Sequence, residues 1–562
     1  MKWEDLTPDQ QQAVMATEPR VIVFGGAGSG KTTVALWGAR HFLRSPNAKP
    51  WHRVLFLTFS RTAVREIARR SGRALTDVRE KVEIHTFHAF ANRMVTAFGR
   101  YAGLGRDLPP FRSDAEGKLL GKSARHLSYD DLLPLALKVI RTPRVRDLVG
   151  QRWPLVVCDE FQDTDNEQWE LLVELAACGA RLLMLADPNQ MIYAAFLGDR
   201  GVGPHRVEGA IETADHVIDL GAPSHRDPTN VIPAMAAAIR RREFDHEAVE
   251  AALRGDRLRV HRAVPDDDLL AKIRQEVDDA WNRGHRSIGI FGHSNRSVAE
   301  LSASLFAMGL DHVLVGLPEA HGEALAALEA ACQFGAGHVD FEQVRLRLAV
   351  FLTASIRGST VPELALGLKG ATTLPPSLVE RLNNVQRGLQ QSAADGVENL
   401  VNAAMNLWPS LGIAAANRPW NQAARTFGAL ARQAQRRARA RETDAFFTEL
   451  ARSVSDQRTE TLFEGDGATG KSIQLMNFHQ TKGREADVVI LVYRDADWFG
   501  REQEPFPTNS RLLYVSLTRA RQRNIVILPP TPHALVAPFA DLPAVAVAPA
   551  PGRQQVPTGT SI

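Results

Sequence analysis

Runs of consecutive apolar residues, bounded by Gly or Asp, punctuate the chain. Val21–Phe24, Val54–Phe59, Leu155–Cys158 and Leu182–Ala186 form one set. Apolar runs of this length, without alternation, predict strands buried on both faces, as in a parallel sheet. Helical patterns follow two of them, over Thr32–Arg44 and Arg61–Arg70. Alternating strand and helix predicts a doubly wound α/β core. A second set comes later, at Ser287–Phe291, Ile473–Met476, Val488–Val492 and Asn524–Leu528, and predicts a second α/β domain. Between its first and second strands, residues 321–352 and 376–460 are rich in Ala, Leu, Gln and Arg, which predicts a helical interruption. From Pro529 the sequence is dominated by Pro, Ala and Val, and a poorly ordered tail is expected there. No internal repeat of fixed period is visible.

Composition changes this picture little. A chain of 562 residues holds several domains, which excludes a peptide hormone or a single small binding module. Lys and Arg total 67 against 64 Asp and Glu, a net charge of +3, so total charge does not announce a nucleic-acid partner. The basic groups are instead local, as in Arg432–Arg441, which fits a duplex-binding surface or a solvated helix equally well. Three cysteines, Cys158, Cys178 and Cys332, are too few for a disulfide framework or a four-Cys zinc site. No apolar run approaches the ~20 residues of a membrane span, and the acidic, polar start lacks a signal-peptide core. The expectation is a cytoplasmic protein with no membrane partner.

Candidate chemistry enters at Gly25-Gly26-Ala27-Gly28-Ser29-Gly30-Lys31-Thr32-Thr33, which follows a strand and opens a helix. The glycines let backbone N–H groups curl around phosphates, and the helix N-terminus favours the anion. Lys31 is expected at the β and γ phosphates and the Thr32 hydroxyl on Mg²⁺. The same pattern recurs at Gly465–Ser472, but without a preceding strand or a following helix, and is expected to be a loop without nucleotide. Asp159-Glu160-Phe161-Gln162-Asp163-Thr164 closes a strand. A carboxylate there suits Mg²⁺, and its neighbour suits water activation, which gives Asp159 as metal residue and Glu160 as general base.

With these strings in hand, the chain resembles the UvrD/Rep group of superfamily 1A DNA helicases. Leu6–Val14 resembles the adenine-reading segment, with Gln10 as base contact. Leu57–Ala63, with Phe59 and Arg61, and His85-Thr86-Phe87-His88 resemble segments that face DNA. Ser128–Leu133 resembles the stretch leading back from the first inserted domain. Asp187–Tyr193 resembles the motif in which Gln190 meets the γ-phosphate and Tyr193 faces DNA, with Phe196 beyond it. Ser224-His225-Arg226, His479–Glu485 and Leu513–Ala520 resemble the later motifs. The resemblance implies Arg226 and Arg519 as γ-phosphate cations, His225 on the base, Glu485 on the ribose and His479 at DNA. Such cations raise phosphoryl-transfer rates by roughly 10³–10⁵.

The resemblance implies two RecA-like P-loop domains, each carrying a mainly helical insertion. The expected boundaries are 1–89 with 151–220 for the first, 90–150 for its insertion, 221–320 with 466–535 for the second, 321–465 for a reduced second insertion, and 536–562 for the tail. ATP, with Mg²⁺, is expected between the two domains, so that hydrolysis moves the protein along one strand, 3′ to 5′, and unwinds duplex. Single-stranded DNA and single-strand/duplex junctions are the implied partners, and a monomer or a partner-bound complex the implied state. Departures from the family pattern are present. The third motif reads Tyr193-Ala194-Ala195-Phe196-Leu197-Gly198 without its arginine, Arg200 being the nearest candidate. His225 stands for an adenine-stacking Tyr, Arg484 for a Leu, and Thr508-Asn509 for a Glu pair. No fused nuclease is expected after Ala520. These departures admit a second reading: an ATP- and DNA-sensing regulatory subunit for a separate nuclease or repair partner.

Overall fold

A computed structural model of the chain describes residues 3–543 except 60, 105–112, 122–126, 222–223, 226, 316–317, 357–359, 414–415, 439–442 and 465–471. The chain divides into two compact units, residues 1–222 with 314–469, and 223–313 with 470–562.

The first unit is built on six strands: β1 Arg20–Phe24, β2 Val54–Thr58, β3 Val82–Thr86, β4 Leu155–Asp159, β5 Arg181–Ala186 and β6 His216–Asp219. They lie in the order β3-β2-β4-β5-β1-β6, and every neighbouring pair is parallel. Side chains alternate between the two faces. Ile22, Leu55, Leu57, Val156, Leu182 and Met184 pack under the helices Phe87–Phe98, Tyr129–Ile140 and Asn166–Ala177. Val21, Val23, Val54, Phe56, Val157 and Leu185 pack under Pro8–Met15, Lys31–Arg44 and Arg61–Ala74. Coverage on both faces is why the central strands are apolar at every position.

The helical segment interrupts the second sheet in chain order, yet it groups with the first unit in space. Its long helices are Pro318–Gly335, Phe341–Ser355, Pro376–Ala394, Asn417–Arg437 and Thr443–Glu464. Phe351, Trp408 and Trp420 centre its core, with ring centroids 4.8 to 5.9 Å apart. The short helix Asp114–Leu120 buries Ala115 and Leu119 in that same core. Arg347 pairs with Glu116 at 3.3 Å, and the Ala115 N–H donates to Glu319 at 2.6 Å. Thr443–Glu464 also packs on Arg61–Ala74, β3 and Phe87–Phe98.

The second unit holds β7 Leu258–His261, β8 Ser287–Gly292, β9 Val313–Leu314, β10 Ser472–Asn477, β11 Ala486–Val492 and β12 Ala520–Ile527. Their order is β7-β12-β11-β8-β10-β9. The expectation of a loose tail from Pro529, disordered from 536, is corrected as far as Leu542. Leu535, Val536 and Phe539 are fully buried, Phe539 lying edge-on to Phe244 at 5.0 Å. Arg262 and Arg242 donate to carbonyls of Ala540, Leu542 and Leu535. The proline-rich composition hid three well-placed apolar anchors. Residues 544–562 lie outside the described set. Among the described residues no helix is long and apolar enough to cross a membrane.

Candidate functional site

Parallel pairing sets the first unit's candidate residues at one edge. Phe24 is level with Ala186, and Thr58 with both Thr86 and Asp159. The loops after β1, β2, β3, β4 and β5 therefore leave the sheet at its carboxyl edge, where open α/β sheets bind ligands.

Gly25–Lys31 turns sharply there. Gly28 and Gly30 have φ of 85° and 95°, left-handed values that disfavour any side chain. A Cβ on Gly25 would fall 2.3 Å from Ser29 Oγ. Gly26 and Ala27 complete the turn, and Lys31 opens the helix, with Thr32 and Thr33 half-buried in its first turn. Lys31 Nζ donates to the carbonyls of Gly25, at 2.6 Å, and Gly26, at 3.1 Å. The ammonium thus closes the loop on itself. Gln10 is buried, and its Nε2 donates to Ser29 O at 2.9 Å while its Oε1 accepts from the Thr7 N–H. The expected base-reading residue is thereby also a brace of the phosphate loop. Ser29 Oγ and Thr58 Oγ1 are buried with no hydrogen-bond partner among the described residues.

Asp159 ends β4 and is buried. Glu160 follows with φ of 56°, a strained value for a non-glycine residue and of a kind that clusters at functional sites. Its carboxylate accepts from Gln162 Nε2 at 2.6 Å. Gln162 Oε1 in turn accepts from the Asp187 N–H at 3.0 Å. Asp187 then accepts from Gln190 Nε2 at 2.6 Å and the Asn189 N–H at 3.0 Å. One polar chain therefore joins the loop after β4 to the loop after β5. The role of Gln162 was missed in the sequence, although DEFQDT displays the residue.

The expected strand-facing residues divide. Phe59 and Tyr193, 134 positions apart on different loops by number alone, meet with ring centroids 4.8 Å apart. His88 lies 5.1 Å from Tyr129. Thr86 caps the helix Phe87–Phe98, its Oγ1 accepting from the Ala89 N–H at 3.2 Å. Phe87 is corrected: it is 1% exposed and packs in the sheet core, because the first helical position faces inward with Phe90, Ala91 and Met94. The side chains of Arg61 and Phe196 lie outside the described set. Arg200 is held by Asp165 at 3.0 Å, with Asp130 and Glu167 nearby at 3.7 and 3.8 Å.

Within the second unit, Ser224 is buried and His225 exposed, while Arg226 lies outside the described residues. Glu485 accepts from both Nε and Nη2 of Arg521, at 3.1 and 2.9 Å. Arg519 is buried, and its guanidinium donates to Val515 O at 2.8 Å and Thr518 Oγ1 at 3.0 Å. Burial, helped by the nearby His293, pushes the His479 imidazole down to about 4, so it is neutral at neutral pH. The repeated phosphate-loop pattern at 465–472 falls almost wholly outside the described residues. Helix Thr443–Glu464 precedes it and β10 begins at Ser472, the reverse of the strand-then-helix setting of Gly25–Lys31.

With this geometry in view, a family model described as AAA domain matches residues 10–196, which carry the phosphate loop and both acidic turns. The chain is similar to the ATP-dependent DNA helicase PcrA of Leuconostoc citreum, 23% identical over 55% of this chain and 49% of that protein. It is 21% identical to PcrA of Bacillus subtilis, over 92% of this chain and 82% of that protein. DNA helicase II of Escherichia coli is 22% identical over 34% of each chain. The chain thus spans about half the length of the first of these relatives and most of the second.

Proposed function

We propose, from the premise that this is a UvrD/PcrA-type superfamily 1 chain at low identity, that it couples ATP hydrolysis to movement along single-stranded DNA. The observation that carries the proposal is the carboxyl edge of the first sheet. There the Lys31 loop, the Asp159–Glu160 turn and the Phe59–Tyr193 pair emerge side by side.

In this reading Gly25–Thr33 wraps the phosphates and Lys31 exchanges its two carbonyl partners for phosphate oxygens. Thr32 and Asp159 are an all-oxygen donor set of the kind that suits a hard cation retaining waters, and they would hold Mg²⁺, which neutralises phosphate charge when bound. Glu160 orients the attacking water and takes its proton, and Gln190 meets the γ-phosphate. Arg226 and Arg519 supply the cations for the developing charge, and Arg519 must leave its local partners to do so. Gln10, His225 and Glu485 hold base and ribose. Phe59 and Tyr193 offer an unpaired base a sequence-tolerant stacking surface, worth roughly 1–3 kcal/mol per base. The resemblance assigns His88, Thr86, Arg61, Phe196 and His479 to the strand as well. Polarity from 3′ to 5′, unwinding of single-strand/duplex junctions, and a role in repair, recombination or defence rest on the resemblance.

ATP turnover with single-stranded DNA, single-stranded RNA or no polymer tests the motor reading. Strand displacement from 3′- and 5′-tailed duplexes tests unwinding. Stimulation by DNA and its loss in Lys31→Ala are expected; turnover that persists in Lys31→Ala would overturn the site assignment. A second reading, a regulatory subunit that senses ATP and DNA for a separate nuclease, is favoured by one observation. Arg200, the nearest candidate for the third motif's arginine, is paired with Asp165 at 3.0 Å. DNA-stimulated turnover without strand displacement from either tail would support that reading.

A further inference from the structure

Gln162 is fully buried between two groups with opposite needs. The Glu160 carboxylate needs a donor, and the Asp187 N–H needs an acceptor. A carboxamide is donor and acceptor at once, and Gln162 meets the first at 2.6 Å and the second at 3.0 Å. Asn would be a methylene too short to bridge them, and an apolar side chain would leave a buried N–H without its partner. Asp187, itself buried, passes the connection to Gln190 Nε2 at 2.6 Å. Gln190 stands three residues before Tyr193, whose ring lies against Phe59.

We propose that Gln162 is a positioning residue that couples occupancy of the Phe59–Tyr193 surface to the placement of Glu160, so that a bound strand accelerates ATP hydrolysis. This rests on the motor reading given above. Glu160 sits at φ of 56°, and such a backbone persists only where neighbours hold it. Two local bonds do so, from the Glu160 N–H to Asp159 Oδ1 at 3.1 Å and from the Asp163 N–H to Glu160 O at 3.0 Å. Gln162 adds a bond to the carboxylate itself. When a base stacks on Tyr193, a shift of the loop after β5 passes through Gln190 and Asp187 to the carboxamide and so to the carboxylate. There the water oxygen bonds to the γ-phosphorus, the bond to the ADP oxygen breaks, and Glu160 takes the water proton.

The test is Gln162→Met, close in length and volume and without either polar end, together with Gln190→Met and the double variant. Turnover, ATP KM and oligo(dT) affinity are measured with and without oligo(dT), after thermal melting confirms folding. Stimulation by oligo(dT) is expected to fall about tenfold in Gln162→Met, with ATP KM and oligo(dT) affinity within about twofold of wild type. The double variant should be no worse than the weaker single one, because both break one chain. Normal stimulation in Gln162→Met, losses that multiply in the double variant, or an ATP KM in Gln162→Met that rises as turnover falls would overturn the proposal. Absence of any stimulation in the wild-type protein would overturn the motor reading and this coupling with it. Should Gln162→Met not fold, Gln162→Leu carries the same measurement.

Discussion

A methyl group on Gly25 would crowd Ser29 and Leu220. The added Cβ would meet Ser29 Oγ at 2.3 Å, which must rotate away, and Ser29 Cβ at 3.1 Å and Leu220 Cβ at 3.3 Å, so Gly25→Ala displaces the Ser29 side of the loop. The expected outcome is loss of ATP binding by at least an order of magnitude with the sheet intact. Equilibrium nucleotide binding beside a thermal melt checks it, and unchanged affinity would show that the loop relaxes freely. His479 makes a separate prediction. Its folded imidazole titrates at about 4 against about 6.5 unfolded. Between those values only the unfolded chain takes up the proton, so the associated stability is complete above about pH 6.5 and is lost as pH falls toward 4. The full loss is on the order of 3 kcal/mol. Denaturant midpoints at pH 7 and pH 5 should converge in His479→Gln relative to wild type; identical pH slopes would show that His479 titrates normally. Motif residues whose role follows from backbone shape, such as Gly25 and Lys31, were legible in sequence. Phe87 was not, because a string beside a strand does not say which side of the next helix turns inward. Nor did sequence show that Arg519 donates to Val515 O and Thr518 Oγ1, close by in its own chain.

The elements that sequence patterns missed are the sheet edges. β3 and β6 flank the first sheet, and β7 and β9 flank the second. Each mixes polar and apolar residues, as in Val82-Glu83-Ile84-His85-Thr86 and His216-Val217-Ile218-Asp219. An edge strand has one neighbour and partly exposed faces, so it carries no continuous apolar signal. The central strands and the long helices were legible for the opposite reason. Between helices Pro318–Gly335 and Thr443–Glu464, one contact was invisible in sequence: Arg458 Nη2 meets Glu323 Oε1 at 2.8 Å, and the Glu323 side chain is fully buried. Removing one partner leaves the other charged in an apolar bundle. Arg458→Met is therefore expected to cost about 3–5 kcal/mol, and Arg458→Met with Glu323→Leu to recover most of it. Chemical denaturation of the three variants decides this. A double variant as unstable as the single one would mean that the pair supplies net stability and is not merely mutual compensation.

At the scale of the whole molecule, chain order and spatial grouping disagree, and that disagreement is testable. Residues 314–469 leave the second sheet after β9 and return at β10, which are neighbours in that sheet. A short linker could therefore replace 318–464 without parting the strands on either side. The first unit is less tolerant. Helix Asp114–Leu120 buries Ala115 and Leu119 in the core of the removed helices, and Lys369 and Arg347 hold it by Leu119 O and Glu116. Helix Thr443–Glu464 is also packed on β3 and the helices beside it. Deletion would expose that apolar surface while the second unit keeps its own core. Calorimetry of the deletion is expected to show the first unit melting lower, or not cooperatively, and the second unit near its original temperature. If the helical segment were an appendage of the second unit, the second transition would fall instead. Sequence placed the helical segment within the second domain because only chain order was readable. Its packing is set by contacts such as Ala115 to Glu319 and Glu116 to Arg347, 204 and 231 positions apart, and no local pattern carries a contact of that range.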